Sequence, residues 1–241
     1  MDAESALGDL IAVMARLRGP GGCPWDAEQT HASLVPYVIE EAHELAEAIE
    51  TGDDAHLQEE LGDVLLQVVF HADIARADGR FDIDDVARGL SEKLRRRHPH
   101  VFAGTAINGV GEVIANWDAI KREEKPERES AMDGITPSLP ALARAAKVLR
   151  RGERAGLLPA DDASAARARD DASAARARDD GEEALGRSLL EMVRGATAAG
   201  LDAERALRGA IRELEAELRD REAALRDREA ARSPAPGSAL L

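Results

Sequence analysis

Apolar residues recur every three to four positions along most of this chain, which is the spacing of amphipathic helices. In the N-terminal half this pattern predicts five helices separated by polar or Gly- and Pro-rich segments. They cover residues 7–17, from near 33 to 51 with Pro36 in the first turn, 55–77, 82–98 and 110–124. The segment 19–26 is rich in Gly and Pro and is predicted to be a loop. Since no run of alternating β-branched residues indicates a strand, the predicted fold class is all-α, a helical bundle.

Two acidic forks stand on neighbouring predicted helices. Glu41 and Glu44 are three residues apart on the second helix, and Glu60 and Asp63 on the third, so each pair lies on one helix face. If the helices pack antiparallel, four carboxylates converge. Two such charges about 4 Å apart repel by roughly 4 kcal/mol at an effective dielectric near 20. Oxygen ligands of this kind favour Mg²⁺, or alternatively Mn²⁺, and Mg²⁺ on carboxylates commonly serves a phosphate.

The alternative interpretation of each acidic pair is a solvated helix face, because 33% of the residues are charged. Both forks, however, border apolar stripes that we expect to form the core. The interior position of Gly62 predicts that another part of the structure approaches the third helix closely. The stripes comprise Val38, Ala42, Leu45 and Ile49 on the second helix, and Leu61, Val64, Leu65, Val68, Val69 and Ala72 on the third.

Composition narrows the function classes. The net charge of −15 argues against a nucleic-acid partner, because phosphate contacts need a basic surface. No apolar run is long enough for a membrane span, and no signal pattern opens the sequence. Cys23 is the single cysteine, so neither an internal disulfide nor a cysteine zinc site is expected. The expectation is a cytoplasmic helical protein with no membrane partner.

A cationic cluster and an aromatic residue follow the forks. Lys93 to Arg97 end the fourth predicted helix, where cations suit the helix dipole but also form a candidate phosphate-binding patch. Trp117 and Lys121 share a face of the fifth helix. Trp117 is compatible with core packing or with stacking on a base.

The C-terminal half carries a weak internal repeat, for which shared composition is the alternative explanation. Residues 183–190 resemble 59–66, and 201–214 resemble 81–94, but Ala184 replaces Glu60 and Arg187 replaces Asp63. A tandem nonapeptide occupies 162–179 where an acidic helix would be expected. The predicted organisation is a catalytic domain over 1–125, a linker over 126–140, a degenerate second unit over 141–232 with a low-complexity insert at 161–180, and a disordered tail at 233–241.

Several motifs in order resemble the MazG family of nucleoside triphosphate pyrophosphohydrolases, which are all-α and Mg²⁺-dependent. The resemblance covers residues 5–125 and continues weakly into the degenerate second copy. The motifs are Gly22-Cys23-Pro24-Trp25-Asp26 with Gln29-Thr30-His31, the forks at 40–44 and 60–63, Leu66 to Ala72, Lys93 to Phe102, and Trp117-x-x-x-Lys121.

The resemblance implies a set of site residues, a cofactor and an assembly. It implies Mg²⁺ held by Glu41, Glu44, Glu60 and Asp63, and a homodimer. Glu40, Glu41 and Lys93 are expected to act in catalysis, with Glu40 orienting or deprotonating the water. The expected substrate contacts are Tyr37, Glu59, Lys93, Arg96, Arg97, Trp117 and Lys121.

The resulting hypothesis is an enzyme that hydrolyses a nucleoside triphosphate (NTP) to the monophosphate (NMP) and diphosphate, with broad base tolerance and a role in clearing the nucleotide pool. Two alternatives stay open at this point. One is a pyrophosphohydrolase narrowed to a single nucleotide. The other is a helical regulatory or scaffold protein that binds nucleotide with weak or no catalysis, which the degenerate second copy favours.

Overall fold

A computed structural model describes residues 5–105, 109–158 and 181–232. Ten helices and no strand occur in these ranges, which confirms the all-α class. None of the described helices combines the length and the apolar content that a membrane crossing requires. The helices are α1 Ala6–Arg18, α2 Pro24–Glu28, α3 Val35–Thr51, α4 Asp54–Ala77, α5 Ile83–Arg97, α6 Pro99–Phe102, α7 Val110–Glu124, α8 Ala141–Arg154, α9 Gly181–Ala198 and α10 Ala203–Arg232.

Capping residues set several of the helix ends. Ser5 caps α1 by accepting from the Gly8 amide, and Asp53 caps α4. Asp82 opens α5 with a reciprocal capping box to Asp85, which satisfies amides that the first turn leaves without partners. This confirms the helix start predicted at residue 82.

The predicted loop at 19–26 is wrong in its second half, where α2 begins at Pro24. Proline is pre-organised for the first turn of a helix, where its missing N–H is not needed. Just before α2 the backbone at Gly22 lies against the carbonyl of Leu17. Only glycine fits there, because a Cβ would overlap that carbonyl. The helix predicted from near Ser33 begins at Val35, since Ser33 and Thr30 exchange side-chain and backbone hydrogen bonds in the preceding turn.

The chain divides into two compact units, residues 1–121 and 122–241. In the first unit α4 is the central helix, in contact with α1, α3 and α5. Its core consists of Met14, Leu34, Val69, Phe70 and Ile74. Beside this core the buried Asp73 carboxylate accepts from Arg18 Nε at 2.9 Å and from Arg76. The guanidinium of Arg18 also lies over the Phe70 ring, 5.1 Å from its centroid.

The predicted core face of α4 is only partly buried. Val69 and Ala72 are in the core, but Leu61 and Val68 are 53% and 40% exposed, and Leu65 is exposed as well. On α3 the predicted stripe is likewise open at Val38 and Ile49. The prediction was wrong for these positions because α4 is apolar around much of its circumference, and this unit covers only one side of it. No described residue makes the close approach predicted at Gly62, since a Cβ there would have no neighbour within 4 Å among them.

The second unit packs α8 against α9 and α10 around Ala146, Leu149 and Val193. At the aligned positions given below, the side chains of α9 are buried or exposed as their counterparts on α4 are. The aligned glycines, Gly62 and Gly186, both face open space. The paired positions are Glu60 and Ala184 (both buried), Val69 and Val193 (both buried), Leu61 and Leu185, Leu65 and Leu189, and Val68 and Met192 (all exposed). The same helical pattern thus occurs in both units, without the two acidic residues in the second.

The predicted insert at 161–180 and the predicted tail at 233–241 lie outside the described residues.

Candidate metal and nucleotide site

The α3–α4 hairpin positions the acidic residues. Gly52 ends α3 with a positive φ of 75° and donates its amide to the Ala48 carbonyl, a conformation that glycine adopts without steric cost. Asp53 follows at once as the cap of α4. A connection this short makes the two helices antiparallel neighbours, so the side chains of α3 at Glu41 face those of α4 near Glu60 and Asp63.

Three of the predicted ligands converge. Glu41, Glu60 and Asp63 each offer a carboxylate oxygen, and these oxygens all lie within 4.8 Å of one another. The fourth predicted ligand, Glu44, is not a member of this group. Its side chain is exposed one turn further along α3, close enough for its charge to act on Glu41.

The electrostatics of the cluster favour a cation. Partial burial, followed by the negative charge of Asp63 and then that of its other acidic neighbours, raises the pKa of Glu41 above its ordinary value. Glu60 is 6% exposed. Its Oε1 lies 3.0 Å from His56 Nε2, whereas its buried Oε2 has no hydrogen-bond partner among the described residues. An unpartnered buried carboxylate oxygen is costly, so this atom fits a ligand position, and an all-oxygen set fits a hard divalent ion.

A buried amide extends the polar line along α4. Gln67 is 5% exposed, and its Oε1 has no hydrogen-bond partner in the part of the chain that the structure describes. It lies one turn beyond Asp63 on the same helix. The polar line formed by Glu60, Asp63 and Gln67 borders the predicted core face. Each of its side chains is more buried than Leu61 or Val68, which belong to that face.

The cationic and aromatic residues lie near the end of α5 and on α7. Lys93 and Arg96 are exposed and Arg97 is half-buried. Trp117 is 37% exposed, so it is only partly packed. Lys121 Nζ lies 3.6 Å from the centroid of its ring, and the Arg97 guanidinium lies 5.6 Å from it. The partly exposed indole is thus flanked by two cations, which its π surface attracts.

A second aromatic pair joins Tyr37, a predicted substrate contact, to Trp25, for which the sequence predicts no role beyond the motif that contains it. Trp25 on α2 is 51% exposed and meets Tyr37 edge-on, with ring centroids 6.0 Å apart. Tyr37 lies one turn before Glu41 on α3. The signal that could have identified Trp25 is its place beside the Gly-Pro turn, where an aromatic residue has little local core to fill. The remaining predicted residues, Glu40 and Glu59, are exposed on α3 and α4.

A histidine pair was not assigned a role from the sequence. His31 Nδ1 and His71 Nδ1 are 2.7 Å apart, and Arg80 lies 2.6 Å from His31 Nε2. Because arginine only donates, His31 Nε2 accepts, and His31 Nδ1–H donates to His71. Burial, and then the charge of His31, lowers the pKa of His71 below its usual range.

The family profile that matches this chain does so in its N-terminal part. The profile of the MazG nucleotide pyrophosphohydrolase domain matches residues 29–102. A protein of Bacillus subtilis called YabN and described as uncharacterized is 53% identical over 138 residues, 57% of this chain and 28% of that protein. The nucleoside triphosphate pyrophosphohydrolase of Escherichia coli K12 is 49% identical over 150 residues, 61% of this chain and 57% of that protein.

A longer match joins both units. An uncharacterized 26.1 kDa protein of Streptomyces cacaoi is 46% identical over 204 residues, 84% of this chain and 76% of that protein. By contrast, the chain spans little more than half the length of the Escherichia coli relative, and less of YabN.

Proposed function

Because this chain belongs to the MazG nucleotide pyrophosphohydrolase family, we propose that it hydrolyses NTPs to NMP and diphosphate in a Mg²⁺-dependent reaction. The observation that carries the proposal is the convergence of Glu41, Glu60 and Asp63 within 4.8 Å, on the hairpin that the family profile matches. The relatives whose printed name is nucleoside triphosphate pyrophosphohydrolase support the choice of reaction.

Glu41, Glu60 and Asp63 would hold the divalent ion, with Glu44 completing the set from the next turn of α3. The unpartnered Glu60 Oε2 supports this assignment, as do the burial and the negative charge of Asp63 and its acidic neighbours that raise the pKa of Glu41. Mg²⁺, or Mn²⁺ in its place, would neutralise charge on the phosphate oxygens of the substrate.

The residues of this chain would bind and orient the triphosphate. Lys93, Arg96 and Arg97 offer cations to the phosphate oxygens, and guanidinium groups grip phosphate with paired hydrogen bonds. Glu40 would accept the proton of the attacking water. The water oxygen bonds to the α-phosphorus, the bond from that phosphorus to the α–β bridging oxygen breaks, and diphosphate leaves. Positioning and electrostatics are expected to supply most of the rate.

The nucleoside would lie against exposed aromatic rings. Trp117, with Lys121 on its face, and Tyr37, with Trp25 at its edge, offer π surfaces that stack with any base. Stacking without base-edge readout is the physical basis for the proposed broad tolerance, and hence for a house-cleaning role in the nucleotide pool. Glu59 would add a polar contact, and a cytoplasmic location remains a prediction.

The active form is proposed to be a homodimer. The open apolar face of the α3–α4 hairpin, which includes Leu61, Leu65 and Val68, lies beside a glycine with no neighbour within 4 Å. A second copy would bury this face and supply the close approach that Gly62 predicts. Monomeric proteins seldom leave a contiguous apolar surface of this kind open.

The second unit is proposed to be a MazG-like unit without catalysis. At the positions of Glu60 and Asp63 it carries Ala184, which is buried, and Arg187, which pairs with Glu183. A buried alanine offers no ligand and an arginine repels a cation. All activity is therefore assigned to the first unit.

The test is a panel of NTPs and dNTPs with Mg²⁺ and with EDTA, in which diphosphate and orthophosphate are measured separately. We expect metal-dependent diphosphate from several bases, and a loss of at least 100-fold in Glu41→Gln and Asp63→Asn. Glu47→Gln is the matched control, since Glu47 is exposed on α3 and outside the cluster. Orthophosphate would contradict the proposed bond, a single active nucleotide would show a narrowed enzyme, and tight binding without product would support the scaffold alternative.

A further inference from the structure

A buried side chain of α1 contacts the short helix α2. Arg18 is the last residue of α1, and its side chain is 10% exposed. Its Nε donates to Asp73 Oδ2 at 2.9 Å, and its Nη1 donates to the backbone carbonyl of Asp26, which lies inside α2. A single guanidinium therefore joins the buried carboxylate of α4 to the backbone of α2.

This bridge depends on the planar fork of an arginine. The Arg18 guanidinium also lies over the Phe70 ring, 5.1 Å from its centroid, so three contacts fix its position. Arginine presents several N–H donors in a rigid plane, whereas lysine has a single nitrogen on a flexible stem. A lysine at position 18 would keep its charge beside Asp73, but its one nitrogen would not span both acceptors as the guanidinium does.

The helix that Arg18 contacts carries an exposed tryptophan. Trp25 directly precedes Asp26 on α2, and its ring meets that of Tyr37 edge-on, with the two planes at 83°. Tyr37 stands four residues, about 6 Å along the helix axis, before Glu41 of the acidic cluster. The aromatic pair therefore borders the cluster, and the place of its Trp25 ring is set by α2, which Arg18 ties to the core.

We propose that Arg18 is a positioning residue for nucleoside binding, which holds α2 so that Trp25 and Tyr37 together form the surface on which the base stacks. The inference rests on the proposed function, because it requires an NTP bound at the acidic cluster. Stacking accepts any base, and a ring that is already held in place loses less freedom when the base binds. Arg18 should therefore act through Trp25 and leave the binding of the triphosphate unchanged.

Two ligands separate the contribution of the nucleoside from that of the triphosphate. One is α,β-methylene-ATP, in which carbon replaces the α–β bridging oxygen, and the other is inorganic triphosphate, which has no base. Calorimetry on the full chain with Mg²⁺ gives a Kd for each. Arg18→Lys should weaken binding of the nucleotide analogue by about fivefold or more, and that of inorganic triphosphate by less than about twofold. Equal losses for both ligands, or a loss for neither, would overturn the inference.

A double variant tests whether Arg18 acts through Trp25. Trp25→Ala alone should weaken binding of the nucleotide analogue at least as much as Arg18→Lys does. If the effect of Arg18 passes through the ring, Trp25→Ala with Arg18→Lys should bind no more weakly than Trp25→Ala, because the losses at coupled residues are not additive. Additive losses would contradict the positioning role.

Two control variants separate positioning from a general loss of structure. Arg16→Lys makes the same change on the same helix, at an exposed arginine that donates to the Pro20 carbonyl instead of to α2. Ile74→Val removes one methylene group from the core of this unit and should lower its free energy of unfolding. Both should leave the two Kd values within about twofold. A loss of nucleotide affinity in Ile74→Val equal to that in Arg18→Lys would assign Arg18 a purely structural role.

The position of the Trp25 ring can also be measured without ligand. In a Trp117→Phe background Trp25 is the single tryptophan, so acrylamide quenching of its fluorescence reports how accessible it is. Arg18→Lys should raise the quenching constant, because the ring leaves Tyr37, and Arg16→Lys should not. An unchanged constant in Arg18→Lys would overturn the inference even if NTPs are hydrolysed. A wild-type chain that binds neither ligand would instead overturn the proposed function, and the nucleoside-binding role with it.

Discussion

The ion pair between Arg18 and Asp73 is predicted to be a principal support of the first unit. Both side chains are about nine-tenths buried, at 10% and 8% exposure. Asp73→Ala leaves the Arg18 guanidinium buried without its carboxylate, and removing one partner of a buried pair costs about 3–5 kcal/mol. Arg76, the second partner of Asp73, is 54% exposed, so Arg76→Ala should cost less than about 1 kcal/mol. Comparing the loss of unfolding free energy in Asp73→Ala with that in Arg76→Ala tests whether burial determines how much each ion pair stabilises the unit.

Both tryptophans of the chain, Trp25 and Trp117, lie in the first unit, so their fluorescence during urea unfolding reports on this unit alone. The free energy of unfolding should fall by about 3–5 kcal/mol in Asp73→Ala, and by less in Asp73→Asn, which keeps an acceptor for Arg18. A loss in Asp73→Ala no larger than that in Arg76→Ala would refute the reasoning.

Three further predictions follow from the site and its supports. The pKa of His71 is lowered from 6.5 in the folded chain, so the unfolded chain binds a proton at this residue more readily than the folded chain does. The free energy of unfolding should therefore fall as the pH drops below about 6.5, by at most about 1.4 kcal/mol per pH unit. His71→Gln should reduce this slope in urea titrations from pH 7.5 to 5. Val68→Glu should convert the proposed dimer to monomer in sedimentation experiments, whereas the same change at the exposed Ala27 should not. Trp117→Ala should raise KM for NTPs about five- to 150-fold, on the basis of about 1–3 kcal/mol per stacked base, with a smaller effect on kcat; an unchanged KM would remove Trp117 from the substrate site.

The local structure could be predicted from the sequence where it depends on neighbouring residues. The cap of α5 at Asp82 and the carboxylate spacing of Glu60 and Asp63 are local features, and the structure contains both. The antiparallel hairpin that brings Glu41 to them follows from the short Gly52-Asp53 turn. The loop predicted over 19–26 is wrong at α2 for an equally local reason, since Pro24 favours the first turn of a helix as well as a loop.

The buried face of α4 could not be predicted from its periodicity. The helix is apolar around much of its circumference, so the pattern does not show which side meets its own chain and which side stays open. The structure buries Glu60 and Gln67 while Leu61 and Val68 remain exposed. Contacts between distant residues were equally out of reach, because the spacing of His31 and His71 carries no signal of their hydrogen bond.

The central claim is that water attacks the α-phosphorus of an NTP at the Glu41, Glu60 and Asp63 cluster. Hydrolysis in H₂¹⁸O, followed by mass spectrometry of both products, tests it most directly. The account predicts that the heavy oxygen appears in the NMP, that the diphosphate carries none, and that Asp63→Asn abolishes the labelling. Heavy oxygen in the diphosphate would mean attack at the β-phosphorus, and undiminished labelling with Asp63→Asn would place the reaction away from this cluster.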